Sequence, residues 1–166
     1  MMPEAFASLP QGKPHVAPLS HAFVRLPRMT DSPPARSLNI FFDVDNTIIT
    51  WDVKLRPGVR EVFEALRSDG HTVYLWSGMG PRWEVVRRFE LHDHIAACFW
   101  KPLTDHHNRM KDLGIPVWPD YVIDDHIEII QAFTGSHVPE PKLPLERDQE
   151  MWRVYNEIRA FAANIV

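Results

Sequence analysis

The sequence predicts an α/β fold, a three-layer, Rossmann-like parallel sheet with helices on both faces and no sizeable cap domain. From residue 38 onward, short apolar runs alternate with amphipathic segments of about 10 to 12 residues. This alternation is typical of parallel strands joined by helical crossovers. The chain has 166 residues, of which 45% are hydrophobic and 24% charged, which suits one domain with a sizeable core.

The first 37 residues differ from the rest in proline content and in the lack of a regular apolar pattern. They contain seven of the fifteen prolines and show neither helical nor strand periodicity, so we expect a flexible arm over residues 1–37. The folded domain is expected over residues 38–166. Neither the basic start nor the continuous apolar run of a signal peptide is present at the N-terminus.

Composition narrows the classes of function. A formal net charge of −4 and a pI of about 6.1 give no indication of nucleic-acid binding through bulk charge. No segment approaches the roughly 20 apolar residues of a membrane helix. Cys98 is the only cysteine, which excludes an internal disulfide and a thiolate metal cluster. We therefore expect a cytoplasmic protein.

Two strand–helix units are predicted first. The strands are LNIFFDV (38–44) and HTVYLWS (71–77), and the helices lie within 56–70 and 81–91, each with a proline near its start. Gly70 is expected to end the first helix, whose apolar positions at helical spacing are Val59, Val62, Phe63 and Leu66.

The alternation is predicted to continue to the C-terminus. The elements are a strand at 96–100, a helix at 104–114, a strand at 120–125, a helix at 126–133 and a short strand within 135–141. The tail from residue 148 has one apolar stripe, which predicts a helix that docks on the domain. The stripe consists of Met151, Val154, Tyr155, Ile158 and Ala162.

Polar residues stand where the first four predicted strands end. Ligands of an open parallel sheet bind outside the carboxyl ends of its strands, so these residues are candidates for one site. They are Asp43 and Asp45, Ser77, Lys101, and Asp124 and Asp125.

The residue types suit phosphoryl chemistry. Asp43 can act as a nucleophile when a cation neutralises it, and Asp45 can give a proton to a leaving group and then take one from water. Ser77 and Lys101 can hold a phosphoryl group by hydroxyl and by charge. The acids of the fourth strand, together with Asp43, offer hard oxygen ligands for Mg²⁺, which would offset the repulsion among clustered carboxylates.

The ordered set DVDNT (43–47), Ser77 after YLW, Lys101-Pro102 and VIDD (122–125) resembles the four motifs of the haloacid dehalogenase superfamily. The resemblance spans roughly residues 40–133. It implies an aspartyl-phosphate on Asp43 and an acid/base role for Asp45. Two aspartates in the first motif favour a phosphatase or phosphotransferase over the dehalogenase branch, which lacks the second, so residues 38–166 are expected to form a catalytic domain.

The resemblance also implies how Mg²⁺ is held. The ligands would be Asp43, the backbone carbonyl of Asp45 and an acid of the fourth motif. Relatives often place a further acid after three or four intervening residues, and this selects Asp124 with Glu128 as its partner, while Asp125 remains a neighbouring candidate.

The glycines after Ser77 have two interpretations. Gly78 and Gly80 fall between a strand and a helix, but Trp83 stands at the third position of a dinucleotide loop, so a nucleotide cofactor is not expected. We expect instead that Gly78 and its neighbours let backbone amides approach a phosphate near Ser77.

Motif spacing bears on the substrate. A helix, a strand and their loops fill the intervals from Thr47 to Ser77 and from Ser77 to Lys101, which leaves no room for a cap domain. An open site suits a bulky phosphorylated substrate, or a lid from another subunit. The segment IITWDVK, with Trp51, is either a small flap or a plain packed hairpin.

Five histidines are possible ligands or site residues. Surface positions are favoured over a zinc site for four histidines, which are His92, His94, His106 and His107. His126 either lines the site or caps the next helix.

A response-regulator receiver is disfavoured because its acidic pair comes first in the chain, whereas here an acidic pair comes last. A non-catalytic phosphate-binding or scaffold protein, or a phosphotransferase, stays as the alternative, and the oligomeric state is left open.

Overall fold

A five-stranded, all-parallel sheet with the strand order β3-β2-β1-β4-β5 forms the centre of the computed structural model, which describes residues 36–165. The strands are β1 (Asn39–Asp43), β2 (Thr72–Ser77), β3 (Ala97–Trp100), β4 (Tyr121–Asp124) and β5 (Gly135–His137). The helices are α1 (Val59–Ser68), α2 (Trp83–Arg88), α3 (His106–Asp112), α4 (Ile127–Ala132) and α5 (Glu150–Asn164). The predicted α/β class, with helices flanking a parallel sheet, is confirmed.

The predicted N-terminal arm, residues 1–37, lies outside the described residues except for its last two. Among residues 36–165, no helix combines the length and the apolar character that a bilayer crossing requires.

Alternation along the strands produces two apolar layers. In β1, Ile40 and Phe42 join the core beneath α1, α2 and α5, whereas Phe41 faces the opposite core beneath α3 and α4. In β4, Val122 shares the second core with Phe41. Since successive side chains of a strand point to opposite faces, a strand buried on both sides must be apolar throughout, which explains the continuous apolar run of β1.

Helix α1 follows the predicted periodicity closely. Its buried residues are Val59, Val62, Phe63 and Leu66. Gly70, just beyond the helix, has a φ of 89°, a left-handed conformation that glycine adopts without the strain of a Cβ atom. Helix α2 is shorter than predicted, because Pro81 lies outside it and the non-helical Arg82 stands at its N-cap.

The C-terminal segment docks as predicted. Helix α5 packs against α1 and buries Met151, Val154, Ile158 and Ala162. Tyr155, the remaining residue of the predicted stripe, is only half-buried.

The strand order fixes where the site forms. The chain runs outward from β1 through β2 to β3, then returns to place β4 on the other side of β1. This reversal is the topological switch point, where ligands of open α/β sheets bind. It also differs from the 2-1-3-4-5 order of receiver-type sheets, which agrees with the preference drawn from motif order.

Candidate active site

Lys101 connects two acids from neighbouring strands at the switch point. Its Nζ atom donates to Oδ1 of Asp43 at 2.6 Å and to both oxygens of Asp124, at 3.1 and 3.0 Å. Asp43 ends β1, Asp124 ends β4, and Lys101 follows β3 directly. Three residues predicted from separate motifs therefore meet within hydrogen-bond distance.

Burial gives this triad unusual electrostatics. Asp43, Asp124 and Lys101 are all buried. Burial and the nearby Asp124 charge raise the pKa of the Asp43 carboxyl to about 7, although Lys101 opposes the shift. Burial also raises the pKa of Asp124 above its ordinary value, against the pull of the same ammonium.

The charge of Lys101 is favoured by its partners. Burial alone would lower the pKa of its ammonium, but Asp43 and Asp124 outweigh that effect and raise it above its usual value. One ammonium thus faces two carboxyl groups, so acidic side chains outnumber basic ones in this triad.

Asp45 forms the second half of the site and is half-buried. The hydroxyl of Ser77 donates to Oδ2 of Asp45 at 2.7 Å, and the guanidinium of Arg82 pairs with Oδ1. Ser77 Oγ also accepts from the backbone N–H of Met79 at 2.9 Å. Both oxygens of Asp45 are therefore engaged, one by a hydroxyl and one by a cation.

Arg82 is a site residue that the sequence motifs did not reveal. Its side chain is mostly buried and contacts both Asp45 and Glu84. Burial alone would lower the pKa of the guanidinium. Its hydrogen bond with Glu84 and the charge of Asp45 outweigh burial and raise that pKa above its usual value. The one available signal was a basic residue at the helix start that follows Ser77, which by itself does not separate a site residue from a surface one.

Asp125 and His126 extend the site along the end of β4. His126 Nδ1 lies 2.7 Å from Asp125 Oδ1 and 3.4 Å from Asp124 Oδ1. Burial would lower the pKa of His126, but its hydrogen bond with Asp125 raises it above the usual value. His126 stands at the N-cap of α4 without a side-chain cap bond, and its ring lies toward the acids.

Among the described residues, one group of three His, Cys, Asp or Glu side chains has ligand atoms that all lie within 4.8 Å of one another. It consists of Asp124, Asp125 and His126. Glu128, the expected partner of Asp124, is exposed in the first turn of α4 and is not part of this group. The choice between Asp124 and Asp125 as metal ligand stays a prediction.

The donor set fits a hard divalent cation. Asp43 lies outside that group, but its Oδ1 atom and both oxygens of Asp124 contact the same ammonium. An ion in place of that ammonium would therefore have oxygen ligands from both residues. The backbone carbonyl of Asp45 belongs to the same strand end. An ion bound here would offset the acid excess.

The loop after Asp45 is held by a buried arginine. Arg56 donates to the carbonyl of Thr47 at 3.1 Å and to that of Pro139 at 3.0 Å, and it forms a bidentate ion pair with Asp148. Thr47 Oγ1 is buried without a hydrogen-bond partner. Arg56 was not anticipated as a positioning residue, because nothing in its local sequence marks it as buried.

Trp51 and the four histidines predicted at the surface differ in how far they are exposed. Trp51 is 87% exposed in a turn where Thr50 N–H bonds the carbonyl of Lys54, which gives a small hairpin whose action as a flap stays a prediction. His92 and His107 are exposed as expected, whereas His94 is half-buried with an Nδ1 atom that has no partner. His106 is half-buried too and contacts the carbonyl of Pro102.

No protein-family model and no curated protein matched this chain.

Proposed function

We propose that this chain is a phosphohydrolase that requires a divalent cation, with Mg²⁺ as the expected ion, and that acts on phosphomonoesters through an aspartyl-phosphate on Asp43. The supporting observation is that Lys101 draws Asp43 and Asp124 together beside the bonded pair of Asp45 and Ser77. A nucleophile, a proton carrier and two groups suited to phosphoryl oxygens then share one strand edge.

The first step forms the covalent intermediate. A carboxylate oxygen of Asp43 attacks phosphorus, and the bond between phosphorus and the leaving-group oxygen breaks. Asp45 gives its proton to that oxygen. For this, Asp45 must carry a proton and must first separate from Arg82, whose guanidinium contacts its Oδ1 atom.

The second step returns the protein to its initial state. Asp45 takes a proton from water, whose oxygen attacks phosphorus, and the bond between phosphorus and Asp43 breaks to release orthophosphate. Ser77 and Lys101 hold phosphoryl oxygens through a hydroxyl and an ammonium in both steps.

A cation held by Asp43 and Asp124 would supply charge neutralisation between the acidic pocket and the anionic substrate. Asp125 lies close enough to Asp124 to assist in binding it.

The proposal includes a bulky phosphorylated substrate and a cytoplasmic location. One helix, α1, and one hairpin separate β1 from β2, and α2 separates β2 from β3. These short connections support an open site. The single, buried Cys98 supports a compartment in which disulfides are not needed.

A panel of phosphomonoesters assayed for phosphate release with and without Mg²⁺ tests the proposal. We expect Asp43→Asn to abolish Mg²⁺-dependent release, whereas Asp112→Asn, a change at an exposed aspartate of α3, retains it. Asp45→Asn should accumulate phosphoenzyme with esters of acidic alcohols. Absence of release from every ester would favour the phosphate-binding scaffold instead. Full activity of Asp43→Asn would refute the role of Asp43 as the nucleophile.

A further inference from the structure

Three large hydrophobic side chains are exposed beside the site. Met79 is 76% exposed, Leu103 64% and Trp100 50%. We call this set the apolar ledge. A single exposed hydrophobic residue is ordinary, but three around one loop at a candidate active site indicate a surface that binds something.

Two glycines let the loop after Ser77 lie against the ledge. A Cβ atom at Gly78 would stand 2.9 Å from Leu103 Cδ2, and one at Gly80 would stand 3.0 Å from the Trp100 ring. Gly80 also has a φ of 105°, which favours glycine. The loop thus packs on Leu103 at one glycine and on Trp100 at the other, with Met79 between them.

The ledge adjoins the leaving-group side of the site. The Met79 N–H donates to Ser77 Oγ, which donates to Asp45. Asp45 is the residue assigned to protonate the leaving group, so the atoms of that group must lie near this chain of bonds. Trp100 directly precedes Lys101 in the chain, and Leu103 follows it after Pro102.

We propose, building on the proposed function, that the apolar ledge binds the leaving group and selects phosphomonoesters of aromatic alcohols. A half-exposed indole ring and a thioether both favour contact with an aromatic ring. Because the ledge is an open surface, a ring carried by a larger molecule fits as well as a free one.

The test compares two phosphate esters whose alcohols have similar basicity, one with an aromatic ring and one without. Benzyl phosphate and ethyl phosphate are assayed with Mg²⁺, and kcat/KM is measured for each. We expect the wild type to prefer benzyl phosphate. The double variant Met79→Ser, Leu103→Ser should lower the benzyl-to-ethyl ratio about tenfold, since part of the ring loses its apolar contact. Leu143→Ser, at a leucine 86% exposed elsewhere, is the matched control and should keep the wild-type ratio.

Binding of benzylphosphonate and ethylphosphonate, measured by calorimetry, separates this inference from the proposed function. A protein that hydrolyses neither ester but prefers benzylphosphonate, with the preference lost in the double variant, overturns hydrolysis and retains the ledge. Hydrolysis with equal ratios in wild type and double variant overturns the ledge alone. Equal binding of both phosphonates without hydrolysis overturns both.

Sedimentation velocity tests whether a second copy of the chain covers the apolar ledge. If the double variant converts a wild-type dimer into a monomer while the benzyl-to-ethyl ratio stays unchanged, the ledge is a subunit interface and the inference is overturned.

Discussion

The Nζ atom of Lys101 lies 2.6 Å from Oδ1 of Asp43, and both side chains are almost fully buried. Asp124 shares the same ammonium. The lysine therefore stabilises two acids that would otherwise repel each other at neighbouring strand ends.

Replacing Lys101 with methionine should destabilise the fold. At about pH 8 without divalent ions, Lys101→Met should lower the free energy of unfolding by about 3 kcal/mol, because two buried carboxylates lose their cation. The loss should be smaller near pH 6, where Asp43, with a pKa of about 7, can carry a proton. Urea unfolding of Lys101→Met, with the exposed Lys111→Met as control, provides the measurement. Equal stability of the two variants would contradict it.

Arg82 should contribute to anion binding once it leaves Asp45. A phosphoryl group at Ser77 would compete with Asp45 for the guanidinium, so Arg82→Gln should weaken inhibition by inorganic phosphate about tenfold, the equivalent of about 1.4 kcal/mol. Glu84→Gln removes a competing carboxylate and should strengthen the inhibition. Arg88→Gln, an exposed change on the same helix, serves as control. An unchanged inhibition constant in Arg82→Gln would show that Arg82 only orients Asp45.

The ion pair between Arg56 and Asp148 should matter far more than exposed pairs. Asp148→Ala leaves a fully buried guanidinium without its carboxylate and should lower the free energy of unfolding by about 3 to 5 kcal/mol. Glu150→Ala, which removes a more exposed pair with Arg153, should cost less than about 1 kcal/mol. Equilibrium unfolding in urea compares the two. A cost for Asp148→Ala no larger than that for Glu150→Ala would refute the difference.

His71 should make stability sensitive to acid. Burial lowers its pKa below the ordinary 6.5, and its Nδ1 atom accepts from the N–H of Leu38. The unfolded chain binds the proton more tightly, so this contribution is complete above pH 6.5 and is lost as pH falls toward the lower folded pKa. His71→Asn, which keeps an acceptor for Leu38, should reduce the fall in unfolding free energy between about pH 7.5 and pH 5. The exposed His92→Asn should not, and identical pH dependence in both variants would disprove the role.

Local sequence patterns were sufficient to predict the strands and helices of the sheet. The buried face of α1, with Val59 and Leu66, follows from helical spacing, and the burial of Phe41 follows from the continuous apolar run of β1. The meeting of Asp43, Lys101 and Asp124 follows from placing motifs at the carboxyl ends of parallel strands.

The missed residues depend on contacts across long stretches of chain. Arg56 becomes buried only because Asp148 and two carbonyls converge on it, and arginine is ordinarily an exposed residue. Arg82 pairs with Asp45 from the N-cap of α2, which begins two residues after Pro81. Neither feature leaves a local signature in the sequence.

The central position of β1 has a consequence for folding. Phe41 pairs with Tyr74 in β2, a near neighbour in the chain, and with Val122 in β4, a distant one. Contacts between distant segments form slowly, because a large loop must close first. A folding intermediate with only β1, β2 and β3 assembled would hold Asp43, Ser77 and Lys101 but lack Asp124. The complete site thus depends on the pairing of β1 with β4, whose residues lie farther apart in the chain than those of any other strand pair of the sheet.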